Sequence, residues 1–180
     1  SDCSMVSDGA AALVIADAET ASTLQRAIRL RARSHVNDFL PLSRRDPIEF
    51  AGARLAWEKA LAMAGISLDD LSLVETHDCF TVAEMIEYEA MGLMPRGEGW
   101  RAIREGLTLR NGKLPVNVSG GLKARGHPLG ATGVSQHVMV AMQLAGEAGD
   151  MQMPNVELGG GCNMGGAAGT NYVSILERVK

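Results

Sequence analysis

A chain of 180 residues that is 46% apolar, 21% charged and 4% aromatic has material for one buried core and lacks the composition of a disordered segment. A formal net charge of −4 excludes the electrostatic footprint of a nucleic-acid binder, and no run of about 20 apolar residues exists to span a membrane. Cys3, Cys79 and Cys162 lie far apart, with neither zinc spacing nor a disulfide framework. The expectation is a reducing compartment, cytoplasmic by default, with a peroxisomal or mitochondrial matrix left open.

Residues 8–16, DGAAALVIA, form a short run of small apolar side chains that fits a buried strand or a packed helix start. AIRLRARSHV (27–36) alternates apolar and basic residues, the pattern of a strand with one wet face. DPIEFAGARLAWEKALAMAG predicts a helix, with Asp46 as cap, Pro47 in the first turn and Glu49 completing a capping-box pattern. Phe50, Ala53, Trp57, Ala60 and Ala64 fall on one face, and Gly65 stops it. LSLVETHD (71–78) reads as a strand running into a helix, FTVAEMIEYEAMG (80–92). LPVNVSGG (114–121) reads as a short strand ending in glycines, followed by a helix over 131–145 that carries Val134, Val138, Ala141, Met142 and Ala145. NVELGGGC (155–162) and TNYVSILERV (170–179) are two last strands. The order β-α-β-α-β-α-β-β indicates an α/β layered domain.

In such sheets ligands gather where strands end and helices begin. THDCF (76–80), GHPLGATG (126–133) and GCNMGG (161–166) sit at those junctions. The glycines do not spell a nucleotide site. A P-loop needs Lys and Ser or Thr where His127 and Pro128 stand, and 159–169 contains no G-x-G-x-x-G.

His127, before Pro128 and a helix start, suits a general base, or a histidine that holds its loop by hydrogen bonding. His77 at a strand-to-helix turn suits an oxyanion donor, with Asp78 capping the helix that follows. Cys79 reads as a buried, inert thiol, whereas Cys162 stands among glycines as a candidate acid, base or nucleophile. His35, on a polar strand face, and His137, inside a helix, read as structural. Lys123 and Arg125 either attract an anionic ligand or are solvated. Two histidines, a thiol and glycine-turn amides equip a site for acyl or carbanion chemistry. There is no metal constellation and no Ser-centred elbow.

THDCF with its following YEAMGL, LPVNVSGGLKARGHPLGATG and GCNMGGAAGTNYVSIL together resemble the C-terminal half of thiolases, nearest to the sterol carrier protein x type. CSMVSDGAAALVIADAE resembles the segment closing the N-terminal half of such enzymes. The resemblance implies a thiolase-like layered domain with a mixed central sheet over 21–180, with 1–20 as the closing segment of the other half. It implies that His127 deprotonates a nucleophilic cysteine, and that His77 binds the thioester oxygen. It also implies that Cys162 moves the α-proton, and that Gly120, Gly121, Gly126, Asn163 and Gly165 line the substrate. The sequence departs from its branch at one place: members with the HD motif carry His before Asn where this chain has Cys162 before Asn163.

The implied reaction is thiolysis of a 3-ketoacyl-CoA and its reverse, Claisen condensation. Acyl-CoA and coenzyme A act as substrates, with no tightly bound cofactor and no metal. The nucleophilic cysteine of such enzymes lies in their N-terminal half, so the resemblance implies a partner half, in another subunit or another part of one chain, and a homo- or hetero-oligomer. Without it, this chain is expected to be inactive. The alternative is a non-catalytic thiolase-like structural or interaction subunit.

Overall fold

Strand β3 is nearly bare of side chains at its start, and the rest of the fold closes around it. The computed structural model describes residues 2–179. A four-stranded sheet runs in the order β1-β4-β3-β2, with β1 at Ile28–Asn37, β2 at Leu73–Glu75, β3 at Leu158–Gly165 and β4 at Thr170–Arg178. β4 is antiparallel to both β1 and β3, whereas β2 pairs parallel to β3, so the sheet is mixed. Six helices accompany it among the described residues: α1 (Ala18–Thr23), α2 (Ala51–Ala64), α3 (Thr81–Ala90), α4 (Gly99–Arg104), α5 (Gly121–Arg125) and α6 (Thr132–Ala145).

The strand period of two sorts side chains between two layers. Val173 and Ile175 of β4 pack with Trp57 and Ala60 of α2, while Leu176 packs with Val140 and Leu144 of α6. β3 lets both helices approach closely. A Cβ on Gly160 would stand 2.8 Å from Trp57 Cη2, and one on Gly159 would stand 2.4 Å from Val140 Cγ1.

The predicted apolar face of α2 is buried throughout, and Gly65 ends the helix at φ +65° with its N–H on the Ala62 carbonyl. The helix starts later than its capping pattern predicts. Asp46 instead accepts the Ile48 N–H in a preceding turn, Glu49 pairs with Arg54, and Phe50 precedes the helix in the left-handed region. Residues 114–121 form no strand. Val116 makes a single bridge to Val74, and Asn117 then turns to φ +52°, where its Oδ1 accepts the Thr76 N–H in place of a ladder bond. α6 buries Thr132, Gln136, Val140, Gln143 and Leu144 and leaves Val134 exposed. Its glutamines are tolerated inside because each has a carbonyl to donate to, Cys162 for Gln136 and Met151 for Gln143. Residues 8–16 form no strand, and Val14 and Ile15 are 98% and 89% exposed.

Gly160→Ala should destabilise the fold by about 1–3 kcal/mol, because Trp57 fills the space a methyl needs. Gly161→Ala, with nothing within 4 Å of its Cβ, should stay within about 0.5 kcal/mol. Urea unfolding of the two variants side by side measures the difference.

Candidate active site

From the last residue of β2 onward the chain buries four polar side chains in a row, Glu75, Thr76, His77 and Asp78. Buried polar groups must be partnered, and each of these reaches a different element. Glu75 accepts from the Ser119 N–H (3.2 Å) and hydroxyl (2.5 Å), with Arg125 at 3.9 Å. The Thr76 hydroxyl donates to Glu87 Oε2, which also accepts the His77 N–H at 3.1 Å. His77 Nδ1 meets Asn163 Oδ1 at 2.8 Å. Asp78 accepts the Leu122 and Lys123 N–H groups at 2.7 and 3.1 Å, so it caps α5 and not α3, whose N-cap residue, Phe80, makes no side-chain cap bond.

The second loop delivers His127. Its ring lies 5.0 Å from that of His77, edge to face at 82°. His127 Nδ1 is 2.7 Å from Thr132 Oγ1, and that hydroxyl donates to the Pro128 carbonyl at 3.0 Å. A carbonyl only accepts and the hydroxyl has one proton, so both contacts are hydrogen bonds only when His127 Nδ1–H is the donor to Thr132. The neutral ring then carries a bare lone pair on Nε2. Burial pulls the His127 pKa below the ordinary 6.5, opposed by the Asp78 charge. His77 is likewise pulled down by burial first, opposed by its bond to Asn163, with His127 adding to the fall. Both rings are therefore neutral at neutral pH, as a base must be before it acts.

A third strand of chain crosses both loops. Cys3 bridges to Phe80 and Val6 to His127, with the His127 N–H on the Met5 carbonyl at 2.8 Å. Together these segments line a cleft of about 760 Å³ holding His77, Cys79, His127, Asn163 and Gly165, with Phe50, Ile86 and Met164 among its apolar wall residues.

His77, His127, Asn163 and Gly165 are thus brought together, and Cys162 is not. Successive residues of a strand point to opposite faces. Asn163 takes the face toward His77, so Cys162 turns into the core among Trp57, Thr76 and Glu87, 1% exposed. Burial there pushes its thiol well above the usual range. Two other thiols line the cleft, exposed Cys3 and half-buried Cys79, the latter pushed up to about 11 by burial. Gly120, Gly121 and Gly126 are not among the cleft-lining residues. A Cβ on Gly121 would fall 2.2 Å from Asp78 Oδ2, and one on Gly126 would fall 2.5 Å from Ser7 Oγ. His35 stacks on Tyr172, and His137 bonds Gly133 and Ser174, both outside the cleft. The sequence reading missed Thr132 as the partner of His127. The available signal was a threonine one helical turn past Pro128, where a hydroxyl bonds back to the i−4 carbonyl.

The fold is thus an α/β domain with a mixed sheet, and two loops bring His77 and His127 together over a largely apolar cleft. Residues 34–178 match the family described as thiolase C-terminal domain-like, and the chain belongs to that family. It is 42% identical over 98% of its length to an acetyl-CoA acetyltransferase of Methanothermobacter thermautotrophicus, covering 47% of that protein. It is 37% identical over 92% of its length to sterol carrier protein 2 of Oryctolagus cuniculus, covering 32% of it. The chain therefore spans about half or less of the curated relatives it matches. The solved Ltp2-ChsH2(DUF35) aldolase superposes over 89% of this chain and 42% of its own, with a TM-score of 0.77 at 20% identity, a likeness of fold. No helix among the described residues is long and apolar enough to cross a membrane, and no cluster of metal-ligating side chains occurs among them.

Alkylation followed residue by residue should label exposed Cys3 first. Cys79 should react slowly at neutral pH and faster as pH rises toward about 11, where its thiolate forms. Cys162 should stay unlabelled until the chain unfolds. Ready labelling of native Cys162 would put its thiol in the cleft.

Proposed function

We propose that this chain supplies the general base and the oxyanion-binding loops of an acyl-CoA C-acyltransferase that cleaves 3-ketoacyl-CoA with coenzyme A and runs the reverse Claisen condensation. The observation that carries the reading is a neutral His127 with Nε2 bare, 5.0 Å ring to ring from His77, in an apolar cleft. The nucleophilic cysteine comes from a partner half, in a second subunit or elsewhere in a longer chain. The exposed apolar run around Val14 and Ile15 suits such a contact, with 1–20 closing that half and 21–180 forming this domain.

His127 Nε2 takes the proton of the nucleophilic thiol, and the thiolate adds to the 3-keto carbon. His77 holds the oxygen that gains charge. With Asn163 Oδ1 on its Nδ1, neutral His77 offers an acceptor to the cleft. Turning the Asn163 amide over, with no change of shape, puts Nδ2–H on Nδ1 and frees Nε2–H to donate. The C2–C3 bond then breaks, leaving an acyl thioester on the nucleophile and an acetyl-CoA enolate. The enolate takes a proton at C2. Cys79 suits that step in place of Cys162, because its raised pKa keeps the thiol protonated and it lines the cleft. The Cys79 thiolate left behind takes the proton that His127 carries, which returns the imidazole to its neutral form. His127 then deprotonates coenzyme A, whose thiolate adds to the acyl thioester and displaces the nucleophilic cysteine. That cysteine takes its proton back from His127. Asn163 and Gly165 of β3 flank the bound thioester, and the free thiols suit a reducing compartment.

Assayed with its nucleophile-bearing half, His127→Ala should lower thiolysis by about 10²–10⁴-fold. Activity should fall as pH drops through the depressed His127 pKa, below the ordinary 6.5. Cys79→Ser should spare acylation but slow α-proton exchange by about 10²-fold, and Cys162→Ser should leave both steps in place. Full activity of His127→Ala removes the base assignment, and a block by Cys162→Ser with Cys79→Ser active returns the proton to Cys162.

A further inference from the structure

Asp78 has no part in the steps above, yet it stands between two residues that do, His77 and Cys79. Its buried carboxylate accepts two backbone N–H groups from the first turn of α5. That helix ends at Gly126, which stands at φ +89°, and His127 is the next residue. The loop that carries one imidazole therefore grips the short helix that delivers the other. Space is kept for the grip, since any side chain at Gly121 would collide with Asp78 Oδ2, and its φ of +61° disfavours one besides.

The ionisable groups around these two loops are the two imidazoles, Asp78, Cys79, Glu75, Glu84 and Glu87, with Cys3 on the segment that crosses them and Lys123 and Arg125 on α5. Glu75, Glu84 and Glu87 are each pushed toward the neutral acid, first by burial and further by the Asp78 charge. Asp78 differs from them in receiving two backbone donors.

We propose that Asp78 is the positioning residue of the base. Through α5 it fixes where His127 stands relative to His77, and its negative charge stabilises the imidazolium that His127 becomes on taking a proton. The proposal rests on the reading of His127 as the base. Removing the charge while keeping an acceptor for α5 separates its two parts from simple stability, because Asn and Ser both retain an oxygen that caps a helix start.

The experiment compares Asp78→Asn and Asp78→Ser with the unmutated chain, by pH–rate profiles of 3-ketoacyl-CoA thiolysis with the nucleophile-bearing half and by NMR titration of the histidines. The imidazolium is less stable without Asp78, so the His127 titration and the acid limb of the rate should both move to lower pH. The rate at neutral pH should still fall by about tenfold or more, since Asn and Ser offer one acceptor oxygen where Asp78 offers two, and the looser grip on α5 shifts the base. An unmoved His127 titration in folded variants, or a rate lowered evenly at every pH with the limb in place, overturns the proposal. Failure of both variants to fold assigns Asp78 to stability alone and overturns it as well. If the unmutated assembly performs no thiolysis, the proposed function fails, while the imidazole titration still decides the role of Asp78.

Discussion

Four polar side chains in succession, Glu75 closing a three-residue strand and Thr76 to Asp78 beyond it, are buried, and the site follows from how each is satisfied. An unpartnered buried polar group costs about 1–3 kcal/mol, so this stretch accepts one arrangement of its surroundings. Glu75 needs Ser119, Thr76 needs Asn117 and Glu87, His77 needs Asn163, and Asp78 needs the start of α5. These partners come from the segment before α5, from α5 itself, from α3 and from β3. The pairing of buried groups thus doubles as the assembly of the cleft.

The same constraint explains the glycines around His127. Their density suggests a backbone opened to a ligand, and the structure gives the space to protein instead. Asp78 occupies the side-chain position of Gly121, and Ser7 that of Gly126. Close approach is the reason for both, but what approaches is a carboxylate and the segment at 3–7, which holds the His127 amide. The cleft is left apolar around its two rings, and in so dry a setting neutral imidazoles are favoured over charged ones.

Much of this was legible in the sequence where a local rule acted alone. The α2 stripe from Phe50 to Ala64 and its stop at Gly65 follow from helical period and the left-handed tolerance of glycine. The pairing of His77 with His127 was legible from their place at strand–helix junctions. What was not legible depended on contacts between distant segments. Residues 114–121 have the apolar alternation of a strand, but the Asn117 side chain replaces the ladder bond. Asp78 is spelled as a cap for α3 and caps α5 instead, which a linear reading has no means to see. Cys162 illustrates the strand period: one residue along from Asn163 is the other face of the sheet, and the motif's glycines disguise which face that is.

Thr132 holds the Nδ1 proton of His127 and leaves Nε2 bare, the state a general base needs. A long-range proton–nitrogen correlation spectrum of the chain near neutral pH, with His127 assigned by substitution, reads that directly. The spectrum should show a neutral ring with a protonated Nδ1 and an imine-type Nε2. A proton on Nε2 of the neutral ring, or an imidazolium at that pH, would contradict it.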